Sequence, residues 1–147
     1  MRFLFLTQYF PPEVGAPQVR LAAVIRVLVR LGHQVEVVTA MPNYPQGAIF
    51  PGYQRALRLK EEWEGVTVHR VWLYAAVGAG LRRMLNYGSF TAAALFGLMR
   101  CKRPDYLFVE SPPLFLSVPA YIAGRLWRRP SSSLLARAWG RSETRSG

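Results

Sequence analysis

The amino-acid sequence predicts an α/β fold, in which helices cover the two faces of a doubly wound parallel sheet. The first 39 residues read as strand, loop, helix, turn and strand, which is the unit that builds such sheets. Short unbroken apolar runs, typical of strands buried on both faces, recur later in the chain. The chain has 147 residues, of which 51% are hydrophobic. This length and composition suit one domain with a substantial core.

The first unit is the most clearly patterned part of the chain. Residues 2–7 form an apolar run, a proline-rich loop follows, and residues 34–39 form the second strand. Pro17 is well placed at the start of a helix, and Gly32 is the expected stop. Apolar residues at helical spacing should face the core, and the arginines should lie off that stripe. The predicted core-facing residues are Leu21, Val24, Ile25, Leu28 and Leu31, and the predicted outward-facing residues are Arg20, Arg26 and Arg30.

The remaining elements follow in order after a long loop at residues 40–53. Such loops at the carboxyl ends of strands are usually functional. Alternation and apolar runs predict strands at residues 55–60, 66–73 and 105–110, a turn at 61–65, and helices at 82–100 and 114–127. Pro119 predicts a kink in the last helix or a later start.

Composition excludes several classes of protein. A single cysteine excludes an internal disulfide framework and favours a reducing cytoplasm. No segment has the roughly 20 apolar residues of a membrane span, and the N-terminus lacks the pattern of a signal peptide. Two histidines, one cysteine and scattered acids show no zinc or calcium spacing, so no metal site is predicted. We interpret His33 as a capping residue, and His69 and Cys101 as structural side chains.

The character of the sequence changes at Pro130. Residues 131–147 are rich in serine and arginine, where a doubly wound fold requires its next apolar strand. A frayed C-terminal tail is the simplest interpretation. We therefore expect one domain at residues 1–130 and a tail at 131–147.

Four stretches carry a resemblance to a known family. In order and spacing, they resemble the N-terminal domain of glycosyltransferase family 4 enzymes of the kind that build bacterial surface polysaccharides. The first stretch includes Pro11-Pro12-Glu13, and the third begins Pro42-Asn43-Tyr44-Pro45. The four are residues 5–17 with Arg20, residues 32–39, residues 42–47 with 51–53, and residues 103–114.

This resemblance implies a Rossmann-like domain, the N-terminal half of the two-domain GT-B fold. In that family the N-terminal domain binds the acceptor and the C-terminal domain binds the nucleotide-sugar donor. The chain is then an incomplete GT-B protein, the acceptor-binding half of a retaining glycosyltransferase in envelope polysaccharide synthesis. It needs no cofactor of its own and should be inactive alone, because a donor is expected only with the missing domain.

The abrupt change after residue 130 suggests a truncated gene product. Only Lys60 and Lys102 are lysines among the 19 basic residues, which indicates GC-rich codons. Our hypothesis is that residues 131–147 are an out-of-frame translation. A natural half-enzyme with a separately encoded donor-binding partner, or a domain-boundary artefact, are the alternatives.

The candidate acceptor or phosphate site has seven residues, none of them catalytic. Gly15 and Ala16 lie just before a helix N-terminus, where backbone N–H groups can bind an anion. The alternative is that they form an ordinary turn between strand and helix. Glu13 is a ligand for an acceptor hydroxyl or a solvated loop acid, and Arg20 is a phosphate partner or a solvent-facing side chain. The remaining three are Asn43, Tyr44 and Ser111. Asn43 and Tyr44 either recognise a sugar through their amide and aromatic groups or form a turn and anchor the core, and Ser111 lies at the end of a buried strand.

The formal net charge of +11 admits other partners. A peripheral module for anionic or polyprenyl-phosphate lipids is the alternative function, because basic clusters flank the apolar helices. We expect a sugar or lipid-linked sugar acceptor as partner and a cytoplasmic location, with the inner face of the cell membrane as a further option. Nucleic acid is not expected, since the arginines are dispersed and no fold signature is present.

Overall fold

A computed structural model describes residues 1–110 and 117–127 of the chain. The elements in chain order are β1 (Arg2–Thr7), α1 (Ala16–Arg30), β2 (Gln34–Ala40), β3 (Arg58–Trp63), β4 (Val66–Val71), α2 (Leu81–Arg100), β5 (Tyr106–Glu110) and α3 (Ser117–Leu126). The strands form one sheet in the order β3-β4-β2-β1-β5. The predicted Rossmann-like α/β fold is confirmed.

Four of the five strands are parallel, and the fifth shows where the sequence prediction needs correction. β1 pairs in parallel with β2 and β5, with Phe5 opposite Val37 and Phe108. β2 pairs in parallel with β4, but β3 runs antiparallel to β4. The predicted turn was too long, because the hairpin reverses at Glu64 and Gly65, both of which have positive φ. A tight two-residue turn lets the strand continue to Trp63.

One face of the sheet packs on α1 and the other on α2 and α3. The α1 face is aromatic: Phe5 and Phe108 stack with ring centroids 4.8 Å apart, and Phe10 meets Trp63 edge-on at 5.1 Å. The other face is mostly aliphatic and includes Leu4, Leu6, Val38, Ala40, Val71, Phe90, Ala94 and Leu98. A Cβ on Gly97 would lie 3.0 Å from Val38, so a glycine here lets α2 approach the sheet closely.

The ends of α1 follow the expected signals, although its buried stripe is narrower. Gly32 has φ of 80°, and the His33 amide donates to the Leu28 carbonyl at 3.1 Å, which confirms the stop and the cap. Val24 and Leu31, predicted to face the core, are exposed. Gln18 is buried in the first turn instead. In α3, Pro119 lies in the first turn, which agrees with the later start.

Candidate functional site

The carboxyl ends of β1, β2 and β4 meet at one edge of the sheet, where their following segments enclose a cavity of about 170 Å³. This is the edge at which open α/β sheets bind ligands. The polar and aromatic side chains that line it come from three places along the chain: Tyr9 after β1, Asn43 and Tyr44 after β2, and Arg83, Asn86 and Tyr87 on α2.

Glu13 joins the two loops that form this cavity. One carboxylate oxygen accepts hydrogen bonds from the backbone N–H groups of Asn43 and Tyr44, both at 2.8 Å. The other oxygen accepts from the N–H of Phe10 at 3.2 Å. Glu13 is 3% exposed, so the expectation of a solvated loop acid is wrong. Burial raises its pKa, against the opposing effect of these backbone hydrogen bonds.

A buried arginine joins the end of β2 to the loop that follows β1. Arg70 on β4 is 1% exposed and donates to the carbonyl of Ala40 at 3.2 Å, to the carbonyl of Pro11 and to the carboxylate of Glu61. Its guanidinium also lies 5.3 Å from the ring centroid of Tyr53. Sequence reasoning missed this residue. The available signal was an arginine following Val66 and Val68 on the buried, alternating face of the strand.

Asn86, in the wall of the cavity, belongs to a largely buried chain of hydrogen bonds. Gln8 Nε2 donates to Asn86 Oδ1 at 2.7 Å, and Asn86 Nδ2 donates to the Tyr74 carbonyl at 2.7 Å. Thr39 Oγ1 donates to the Gln8 carbonyl at 3.3 Å. These bonds tie α2 to the ends of β1 and β2. The wall of the cavity at Asn86 therefore depends on hydrogen bonds between residues that are far apart in the sequence.

Asn43 and Tyr44, both predicted from sequence, lie together in the wall. Asn43 is 5% exposed and its Nδ2 donates to the Met41 carbonyl at 2.9 Å. Tyr44 is 48% exposed and meets Tyr9 edge-on, with ring centroids 5.7 Å apart. The side chain of Asn43 thus shapes the loop, whereas the ring of Tyr44 is available to a ligand.

Arg83 supplies positive charge at the mouth of the cavity. Its Nε donates to the Tyr87 hydroxyl at 2.7 Å, and its guanidinium lies 5.5 Å from that ring's centroid. Within residues 1–110 and 117–127, no other lysine or arginine side chain lines the cavity. The sequence indicated only that basic clusters flank the apolar helices, because the packing that brings Arg83 to the same cavity as Tyr9 and Tyr44 is a tertiary feature.

Residues 15–144 match the glycosyl transferase 4-like domain family. The chain belongs to this family. The resemblance to family 4 glycosyltransferases found in the sequence is thereby confirmed.

The family relationship extends to a named protein. The chain is 34% identical over 118 residues to WcaI of Escherichia coli (strain K12), which is named as a colanic acid biosynthesis glycosyl transferase. The aligned region covers 78% of this chain and 29% of WcaI, so the chain spans less than a third of that relative's length. Among the described residues, no helix is long and apolar enough to cross a membrane.

Gly15, Ala16 and Arg20, also predicted as site residues, do not line the cavity. Gly15 caps α1 in an extended conformation and Ala16 begins the helix, while the Gln18 side chain covers Gly15 so closely that a Cβ there would overlap it. Arg20 is paired with Glu110 at 2.7 Å, and its side chain is 74% exposed. Ser111 lies outside the described residues, as does the predicted tail, and the family match ends within that tail at residue 144.

Proposed function

We propose that this chain is the acceptor-binding half of a retaining glycosyltransferase that transfers a sugar from a nucleotide-sugar donor during envelope polysaccharide synthesis. The observation that carries the proposal is the cavity at the carboxyl edge of the sheet. It combines an exposed aromatic ring, Tyr44, with a cation, Arg83, in a member of the glycosyl transferase 4-like family. The name of WcaI supports the polysaccharide context.

The chemistry of the cavity suits a sugar attached to a phosphate. Aromatic faces and amides are typical of small-molecule recognition, and an arginine forms charge-assisted hydrogen bonds to phosphate oxygens. A volume of about 170 Å³ is room for one small ring rather than an extended chain. We therefore infer that the acceptor is a single terminal sugar, linked through phosphate to a lipid.

We assign the nucleotide-sugar donor to a second domain, in a longer polypeptide or a separately encoded partner. The chain positions the acceptor hydroxyl. This positioning increases the reaction rate because the reactants are held in the orientation that the transfer requires. No residue of the cavity is assigned as a base. Turnover of a nucleotide sugar by this chain without a partner would contradict the assignment.

The test is acceptor binding by the 147-residue chain, measured by saturation-transfer NMR with short-chain lipid phosphates that carry different sugars. Arg83→Gln removes the cation and should weaken binding about tenfold, which corresponds to one charge-assisted hydrogen bond. Arg82→Gln is the matched control, because Arg82 is exposed on the same helix and does not line the cavity.

A second pair of variants tests the aromatic wall. Tyr44→Ala should reduce the signal from sugar protons, whereas Tyr121→Ala should leave it unchanged, since Tyr121 is exposed on α3 away from the cavity. Equal binding by Arg83→Gln, Arg82→Gln and the parent chain would show that the cavity is not the acceptor site.

The exposed face of α2 favours a second, compatible function at a membrane surface. Five apolar side chains of this helix are more than half exposed, and the helix contains no acidic residue. They are Leu81, Met84, Leu85, Phe96 and Met99. Arg82 and Arg100 flank them, and each cation near an anionic surface contributes about 1 kcal/mol.

Vesicle flotation tests this surface. The chain should float with vesicles that contain phosphatidylglycerol and not with pure phosphatidylcholine. Met99→Asp should reduce flotation, whereas Leu57→Asp, at an exposed leucine outside α2, should not. Equal flotation with both vesicle types would exclude the electrostatic attachment.

A further inference from the structure

Three residues with metal-binding side chains lie together on the face of the sheet that α2 covers. Glu36 belongs to β2, His69 to β4, and Cys101 follows the last residue of α2. The carboxylate, imidazole and thiol ligand atoms all lie within 4.8 Å of one another. His69 Nε2 and Glu36 Oε2 are 3.0 Å apart. Sequence spacing did not indicate this cluster, because its members are more than 30 residues apart.

The cluster is distinct from the acceptor cavity. Glu36 lies in the amino-terminal half of β2, whereas the cavity follows the carboxyl end of that strand. Cys101 is buried, at 7% exposure, and its Sγ lies 3.4 Å from the Gly97 carbonyl oxygen. The side chains of His69 and Glu36 are 17% and 18% exposed. The cluster thus has a closed side at the thiol and an open side at the imidazole.

The open side faces a second, larger cavity. A groove of about 790 Å³ runs between α2 and the β3–β4 hairpin, and His69 and Gly97 line it. Water in this groove has access to the imidazole of His69. A metal held by three protein ligands at this point would therefore have a fourth coordination position open to solvent.

The ligand set is that of a zinc-type ion. Zinc binds cysteine sulfur at about 2.3 Å, histidine nitrogen at about 2.0 Å and carboxylate oxygen at about 2.0–2.2 Å. Tetrahedral ligands at these distances lie roughly 3.3–3.8 Å apart. The ligand atoms, all within 4.8 Å of one another, would close by about 1.5 Å at most, whereas Glu36 and His69, at 3.0 Å, would move slightly apart. Lys60, the residue opposite His69 on β3, places a positive charge near the bound ion. A thiolate and a carboxylate together neutralise the charge of a dication and so limit its repulsion from Lys60.

We propose that Glu36, His69 and Cys101 bind a divalent transition-metal ion of the zinc class, with a groove water as the fourth ligand. Binding replaces the hydrogen bond between Glu36 and His69 and displaces the proton of the Cys101 thiol to solvent. The ion would link β2, β4 and the end of α2, three elements that meet only in the folded protein.

Cobalt(II) is the probe, because it substitutes for zinc and reports its ligands by absorption. Titration of the tag-free chain should produce a thiolate-to-cobalt charge-transfer band in the near ultraviolet and visible bands of tetrahedral cobalt, and both should disappear when zinc is added. Cys101→Ser should abolish the charge-transfer band. His69→Gln should weaken cobalt binding at least tenfold.

His33→Gln is the matched control, since His33 lies at the end of α1 outside the cluster and its variant should bind cobalt as the parent does. Glu36→Gln provides a second test if Cys101→Ser fails to fold, because it removes one ligand and leaves the thiol in place. The proposal is overturned if the folded parent chain shows no charge-transfer band at one equivalent of cobalt. It is also overturned if Glu36→Gln and His69→Gln both bind cobalt as tightly as the parent, which would identify an ordinary hydrogen-bonded cluster.

Discussion

Two glutamates organise two regions of this molecule in opposite ways. Glu13, at the carboxyl edge of the sheet, is buried, and its carboxylate accepts hydrogen bonds from three backbone N–H groups. Glu36, on the α2 face, is half-buried and pairs with His69. Burial raises the pKa of Glu13, whereas the hydrogen bond from His69 holds the pKa of Glu36 below its ordinary value of 4.5.

The difference teaches how the same side chain serves two purposes. Backbone N–H groups in two loops fix Glu13 as part of the scaffold, so its oxygens shape the cavity at the carboxyl edge of the sheet instead of lining it. Glu36 has a side-chain partner, His69, that itself lines the groove beside α2, so its oxygens remain exchangeable. A ligand can displace a histidine from a carboxylate more readily than it can displace three backbone donors.

The largest expected effect tests the scaffold region. Arg70→Met should reduce the free energy of unfolding by about 3 kcal/mol, because it leaves the Glu61 carboxylate and the backbone carbonyls of Pro11 and Ala40 without their buried partner. Urea denaturation measures this loss. Arg58→Met, at an exposed position on the neighbouring strand, is the control and should change stability by less than about 0.5 kcal/mol. Similar losses in both variants would contradict the bracing role of Arg70.

The loss of stability in Glu13→Gln should be smaller than that in Arg70→Met, and its pH dependence distinguishes the two glutamates. Glu13→Gln should cost about 1–3 kcal/mol, because an amide cannot accept hydrogen bonds at both of its terminal atoms and leaves a buried N–H unpaired. The pH dependence has a defined sign. Since the folded-state pKa of Glu13 is raised, its protonation favours the folded state. The stability advantage of the parent over Glu13→Gln should therefore grow as the pH falls through that raised pKa toward 4.5.

Glu36→Gln is the counterpart with the opposite sign. The folded-state pKa of Glu36 is lowered, so the stability it contributes is present above pH 4.5 and is lost as the pH falls through that lowered pKa. The advantage of the parent over Glu36→Gln should shrink on acidification. Urea denaturation at several pH values measures the stability of both variants. If the stability difference from the parent changes with pH in the same direction for both, the contrast between the two regions is contradicted.

Much of the fold was predictable from local patterns. The apolar run at Arg2–Thr7, the glycine after α1 and the alternation at Val66–Val71 each indicated the element that the structure contains. The hairpin between β3 and β4 was only partly predicted, because Glu61, Glu62 and Trp63 read as turn residues. They form an exposed edge strand, and such strands carry charged side chains that hide the usual apolar signal.

The candidate site was less predictable than the fold. Asn43 and Tyr44 were found because they lie in a long loop after a strand, and Tyr44 does face the cavity. Arg83 and Tyr87 were missed, since nothing in the sequence of α2 indicates which turn of the helix lies over the end of β1. Arg20 and Gly15 were chosen for their local chemistry, but the first-loop residue that lines the cavity is Tyr9.

The sequence by itself determined the order and type of the elements, the parallel sheet and the membership in the glycosyl transferase 4-like family. These depend on periodicity and on motifs that are local in the chain. Tertiary structure alone decided that Glu13 is buried, that Arg70 joins the end of β2 to the loop after β1, and that Glu36, His69 and Cys101 share one cluster. The physical reason is that parallel strands bring together residues distant in sequence, so the partners and burial of a charged group exist only once the sheet has formed.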